Sequence, residues 1–302
     1  MEKEVRIELN TRQKKDYITA YLMILPVVLG LGVFYIYPVF KVFLDSFYHA
    51  GSFNVRSFAG LDNYVRMFGD QIMWRSLANT FSYVLVIVPG TIISSLILAS
   101  LLNSKIKGRG FFRVVYFIPA ITMGAAVAMI WRWMYNGDYG IINAFLNALG
   151  FEAVRFLTDP RTALLSICVV SIWINTGYNM IILLAGIQGI SKSYYEAAAI
   201  DGARPIRQFF TITLPLLTPT LFFVLITTLI GTFQTFDTIY MMIGKTGLAK
   251  EYTQSMVLYF YENAFVFNKR GYASALAVFL FFIIMIITVL QLRFQKKWVN
   301  YD

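Results

Sequence analysis

The sequence predicts an all-α integral membrane protein with six transmembrane helices, and three observations predict it. The 302 residues are 58% hydrophobic and only 14% charged, where a soluble domain carries roughly 25% charged residues. Six windows run 18 residues or longer without a charge: Tyr17–Phe40, Ser76–Ser104, Val114–Trp131, Thr162–Ser191, Gln208–Phe236 and Gly271–Leu292. A helix needs about 20 apolar residues to cross the hydrocarbon core. None of the windows shows the period-two alternation of a membrane strand; Phe279–Val289 is apolar on every side.

The first window is predicted to remain as a span. Its apolar run is longer than a signal-peptide core, and Tyr35-Ile36-Tyr37-Pro38 is no small-residue cleavage site. The third window is the shortest and is predicted to continue past Arg132, whose guanidinium reaches the headgroups. Between the spans, Asp45–Arg75 is polar and aromatic, and Asp237–Arg270 is the longest connection. Tyr135–Arg161 carries the apolar run Ile141–Phe151, predicted as an interfacial or re-entrant helix. Pro26, Pro38, Pro89, Pro119, Pro215 and Pro219 lie in or beside spans, where they mark kinks that membrane helices tolerate. Pro215 and Pro219 are a candidate hinge. No linker rich in Pro, Gly or Ser divides the chain, so residues 1–302 read as a single transmembrane domain.

Composition removes several functions. One histidine, His49, and one cysteine, Cys168, supply no His/Cys metal cluster, and Cys168 lies in an apolar window as an inert thiol. The net charge of +10 is explained without nucleic acid by basic loops on one side of a membrane. With the N-terminus placed in the cytoplasm, 15 of the 26 Lys and Arg fall on that side. They are Lys3, Arg6, Arg12, Lys14 and Lys15; Lys105, Lys107, Arg109 and Arg113; Lys192, Arg204 and Arg207; and Arg293, Lys296 and Lys297. The bias follows the positive-inside rule. It predicts cytoplasmic tails at residues 1–16 and 293–302.

The fourth and fifth spans are joined by a segment, residues 191–213, that reads as helix, turn, helix. Ser193 to Ile200 is a short helix with alanines on its surface, Gly202 ends it with a positive φ, and Pro205 opens the next. The plain alternative is a loop helix lying on the headgroups. Against it, the alanine face lacks the large hydrophobes of a lipid anchor. Small side chains instead let another backbone approach, and Glu196 and Asp201 offer charges to a basic partner.

The run Glu196-Ala197-Ala198-Ala199-Ile200-Asp201-Gly202-Ala203, continuing through Phe209, Ile212, Leu214, Pro215 and Pro219, resembles the coupling loop of bacterial ABC importer permeases. Lys107-Gly108-Arg109-Gly110-Phe111-Phe112-Arg113 resembles the carbohydrate-uptake, maltose-type branch of that family, as do Ile130-Trp131-Arg132-Trp133, Gly60-Leu61-Asp62-Asn63-Tyr64 and Gly271-Tyr272-Ala273-Ser274-Ala275. One departure is Ile243-Gly244-Lys245-Thr246-Gly247, where relatives often carry Gly-Gly-Gly-Pro. Gly244-Lys245-Thr246 is not a P-loop, because the glycine that motif needs five residues earlier is Ile239. The chain is therefore expected to bind no cofactor and to have no ATPase site of its own.

The resemblance implies the type I importer permease fold in a bacterial cell membrane. It also implies a second homologous six-helix permease, two cytoplasmic ATPase subunits that bind ATP-Mg, and an extracellular solute-binding protein that delivers a sugar. Glu196, Ala197, Ala198, Asp201, Gly202, Ala203 and Pro215 would form the ATPase-coupling loop. For the solute path, Ser171, Asn175 and Tyr178 share one face of the fourth span, and Thr228, Thr232 and Thr235, with Gly231 beside them, share one of the fifth. Maltose-type permeases place sugar contacts at positions that match these by spacing from Glu196, and also at Trp173. The alternative for such residues is helix–helix packing.

Other readings fit less well. An ion-coupled secondary transporter places ionisable residues at mid-membrane, and the span centres carry no acid. A permease for another polar solute, such as glycerol phosphate, favours cations facing the path; the span centres carry none, which favours neutral sugars.

Overall fold

The structure, a computed structural model, describes residues 11–50, 56–104, 106–244 and 247–300. Residues 1–10 of the predicted tail, Lys105, the Lys245-Thr246 pair and residues 301–302 lie outside the described residues. Among the described residues the helices make six candidate spans when each bent pair is taken as one. Four are continuous: Lys15–Asp45, Gln71–Asn103, Pro160–Gly189 and Arg270–Gln295. Two are bent pairs, Arg109–Ile121 with Gly124–Met134 at 99° and Pro205–Leu216 with Thr218–Phe233 at 68°.

Both bends lie beside prolines that the sequence marks as kinks, Pro119 in the third span and Pro215 and Pro219 in the fifth, and both have local causes. Pro119 sits in the last turn of Arg109–Ile121 without an N–H to donate, and Thr122 turns extended with ψ 143°. In the fifth span, a π-helical turn at Phe209–Thr213 leads into Leu214–Leu216, and Pro215 and Pro219 flank the break at Leu217. Thr218 Oγ1 donates to the Pro215 carbonyl at 2.7 Å and so satisfies one of the freed acceptors. Pro26 and Pro89, by contrast, lie in helices that continue through them.

The second and fourth spans form the spine. Ser95 Oγ donates to the Thr176 carbonyl at 3.1 Å, and the Ser94 and Thr176 hydroxyls share a hydrogen bond of 2.7 Å. Such polar pairs glue helices where lipid supplies no hydrophobic drive. Gly177 brings the third span against the fourth, since a Cβ there would overlap the Tyr116 carbonyl. The broken third span, the spine and Asp237–Ile243 bury Tyr83, Ile87, Ala128, Ile167, Val170, Ile239 and Met242 together. Met180, Leu183, Leu217, Leu221 and Val224 close the end nearer residues 191–213. The last residues return to that end: Trp298 packs edge-on against Phe222, and the Asn300 N–H donates to Thr218 Oγ1 at 3.0 Å.

The first span meets the others through its last turns, where Phe43 stands edge-on to Phe281 and Phe282; its apolar length is otherwise exposed. Beyond it, Tyr48–Ala50 pairs antiparallel with Arg56–Phe58. Three-residue strands are too short to show alternation in sequence, and the all-α expectation omitted them. The apolar run after Tyr135 forms a helix at Ile141–Ala148, shorter than its predicted extent.

Candidate functional site

The fourth and fifth spans enclose a cavity of about 320 Å³. Ser171, Asn175 and Tyr178 line it from one side, and Thr228, Gly231, Thr232 and Thr235 from the other. Helical spacing places Ser171, Asn175 and Tyr178 on one face and Thr228 and Thr232, with Gly231 beside them, on another, whereas Thr235 lies past the helix end at Phe233. Asn175 Nδ2 donates to the Ser171 carbonyl at 2.8 Å, and Thr232 Oγ1 to the Thr228 carbonyl at 2.7 Å. The hydroxyls of Ser171 and Thr228 are buried, at 5% and 7% exposure, and neither has a hydrogen-bond partner. A buried polar group without a partner costs about 1–3 kcal/mol; both residues line the cavity, with their hydroxyl oxygens turned into the helix packing.

Trp173 is not brought to the cavity. It lies two residues from both Ser171 and Asn175, on the far side of the helix, and meets Trp131 edge-on at 5.5 Å. The cavity also has walls that sequence reasoning missed. Asn179 continues the Asn175 row at a spacing of four, and Thr227 lies four before Gly231, so both were legible from period. Gln234, Asp237 and Thr238 were not, because the helix ends at Phe233 and its period no longer places them.

Residues 191–213 fold as read, with the first helix at Lys192–Ile200. Gly202 adopts φ +76°. The Gly202 N–H donates to the Ala199 carbonyl at 3.0 Å and the Ala203 N–H to Ala198 at 2.9 Å, the paired bonds of a Schellman end. Pro205 opens the second helix, Gln208 Nε2 reaches back to the Ala203 carbonyl at 3.0 Å, and the Tyr195 and Thr213 hydroxyls meet at 3.0 Å. The result is a braced elbow. Glu196, Ala197 and Asp201 are exposed; Ala198 and Ala203 are partly buried. Pro215 lies at the bend just beyond. Large apolar side chains stand beside the alanines: Ile200 is 88% and Ile206 75% exposed. Their contribution was missed because they fall outside the alanine run.

At the opposite end Asp70 caps the second span, accepting from the Ile72 N–H at 2.9 Å. The same carboxylate accepts from Tyr272 at 2.6 Å and from Tyr259, tying the start of the sixth span to the second. Burial raises the Asp70 pKa, but the two tyrosyl hydroxyls and the backbone N–H groups of Ile72 and Met73 outweigh it, and the net shift is downward. Burial and the Asp70 carboxylate push Tyr259 up to about 12. Buried Glu262 pairs with Lys250 at 2.6 Å and accepts from Gln254 at 2.8 Å.

Residues 73–300 match the profile of the binding-protein-dependent transport system inner membrane component. The sulfoquinovosyl glycerol transport system permease protein of Agrobacterium fabrum is 37% identical over 280 residues, spanning 92% of this chain and 90% of that one. The lactose transport system permease protein of Rhizobium radiobacter is 34% identical over 278 residues, spanning 91% and 93%. A crystal structure of a bacterial ABC transporter involved in import of the acidic polysaccharide alginate contains a chain of the same fold. It superposes with a TM-score of 0.85 over 95% of this chain and 98% of that one, at 22% identity.

Proposed function

The chain belongs to the binding-protein-dependent transport system inner membrane components, and from that premise we propose that it is one permease subunit of an ABC importer for a sugar or oligosaccharide. The cavity between the fourth and fifth spans carries this reading. Its walls mix the amides and hydroxyls of Asn175, Tyr178, Gln234 and Thr235 with the apolar Ile174 and Phe236 and the Asp237 carboxylate. A sugar hydroxyl both donates and accepts, so it suits such groups. The relatives named for lactose and sulfoquinovosyl glycerol transport support the same class.

On this reading the whole chain is one permease domain. Asn175, Tyr178, Thr228, Gly231, Thr232 and Thr235 form half of the path, and a homologous six-helix permease faces them with the other half. Trp173 is a contact only if that partner turns the path toward Trp131. Both termini and the elbow face the cytoplasm, supported by Lys192, Arg204 and Arg207 beside it. Two ATPase subunits sit beneath, and an extracellular binding protein hands over solute. Glu196 pairs with a basic residue of one ATPase, while Ala197, Ala198, Ala203 and the apolar Ile200 and Ile206 enter its groove. Asp201 and Gly202 hold the turn. Displacement of the elbow then swings the fifth span about the break beyond Pro215.

The test is affinity purification through this chain in mild detergent, identification of co-purifying chains, and reconstitution into vesicles. Uptake of a labelled sugar that requires ATP and the companion ATPases is expected. Uptake by this chain unaided would overturn the reading.

A further inference from the structure

We propose that Asp237 sets the charge preference of the solute path, so that this half of the path favours neutral and cationic solutes over anionic ones. The inference rests on reading the cavity as the path, and it adds the charge class. Family membership leaves that class open, since the fold also occurs in a transporter that imports an acidic polysaccharide.

Among the residues that line the cavity, Asp237 carries the one formal charge, and no Lys or Arg joins it. Asp237 is exposed, and among the described residues it makes no ion pair. Nothing in the described chain therefore neutralises it. It opens the short helix Asp237–Ile243, whose other end meets a separate cavity of about 530 Å³ lined by Arg132 and Arg155. The two signs of charge are thus kept apart by the length of that helix, about 10 Å. The other residues that line the cavity are neutral, hydroxyls and amides beside Ile174 and Phe236, so within this open cleft the field of the carboxylate is unopposed. An anion entering meets that field with no compensating cation among the described residues that line the cavity. A neutral sugar meets hydroxyls and amides without a charge cost.

Asp237 also sits in the first turn of a helix, where a carboxylate is favoured by the helix dipole. That role alone would change stability on substitution and leave the potential in the cavity without consequence. Thiol chemistry separates the two roles. The chain's single cysteine, Cys168, is buried, and Cys168→Ser provides a blank background. Gly231→Cys places a reporter where an added Cβ meets open space, and Asn175→Cys provides a second on the facing wall.

The experiment measures modification of each reporter, in the purified complex with its companions, by cationic and anionic methanethiosulfonates of similar size. The expected result is a preference for the cationic reagent that Asp237→Asn lowers by about fivefold or more and Asp237→Glu preserves. Should Asp237→Asn fail to assemble, raising salt from about 0.05 M to about 1 M on the unsubstituted Asp237 background must collapse the preference by screening. A cation-to-anion ratio indifferent to Asp237→Asn, or to salt, overturns the charge assignment while leaving the path intact. Silence of both reporters toward both reagents overturns the path itself, and the charge assignment with it.

Discussion

Asn300 is fastened to Thr218 at the break of the fifth span: its backbone N–H donates to Thr218 Oγ1 at 3.0 Å, and that hydroxyl donates in turn to the Pro215 carbonyl at 2.7 Å. The end of the chain is thus joined to the residue that follows the 68° bend.

Thr218→Val removes both bonds and is expected to cost about 1–2 kcal/mol. Trp298→Ala, which strips the ring packed on Phe222, should also destabilise. Because the two act on one contact, their combined effect should fall short of the sum. Thermal unfolding of the two single variants and the double variant in detergent checks this; strict additivity would separate the tail from the hinge.

Gly202→Ala forces an alanine to φ +76° in open space. The cost is backbone strain of about 1–2 kcal/mol, from the Cβ against its own chain, with no clash against other residues. ATP-driven uptake should drop about tenfold while the recovered complex is unchanged. Gly202→Asn should be milder, since asparagine visits the left-handed region more readily. Equal loss in the two variants would place the defect elsewhere.

Ser171→Ala and Thr228→Val delete buried hydroxyls that have no partner. Their removal should leave the melting temperature unchanged or higher, because an unsatisfied group is relieved. Solute uptake should nevertheless slow. A variant that loses stability and keeps uptake would make these hydroxyls packing groups.

The Asp70 pKa lies below the ordinary aspartate value of 3.8. A depressed carboxylate contributes stability above its ordinary range and loses that contribution as pH falls through its folded value. Stability between pH 8 and 5 should therefore be insensitive to Asp70 titration, with loss only at lower pH, and Asp70→Asn should blunt that acid limb. Tyr259→Phe and Tyr272→Phe should each destabilise by about 1–3 kcal/mol. Denaturation followed as a function of pH reads both.

Long apolar windows and the elbow were legible because each rests on local chemistry. Span length is set by bilayer thickness, and Gly202 and Pro205 are punctuation that neighbours seldom override. The row Ser171–Asn175–Tyr178 and the pair Thr228–Thr232 were legible for the same reason, as one helical period fixes which residues share a face, while Thr235 reaches the cavity from beyond the helix end. What escaped depends on the chain beyond a helix end or on distant packing. Asp237 and Thr238 reach the cavity only after the turn at Gln234. Pro119 was visible as a kink, but its 99° consequence also needed Thr122 to turn extended. The pairing of Tyr48–Ala50 with Arg56–Phe58 joins strands too short to read.

The first span, held mainly where Phe43 meets Phe281 and Phe282, bears on biogenesis. It is made before the other five spans, yet the two rings that meet Phe43 are made in the last of them. Until then its end is held by near neighbours in sequence, such as the ion pair of Asp45 with Arg56 at 2.7 Å. Cohesion of the finished subunit and retention of the nascent chain are thereby assigned to different helices.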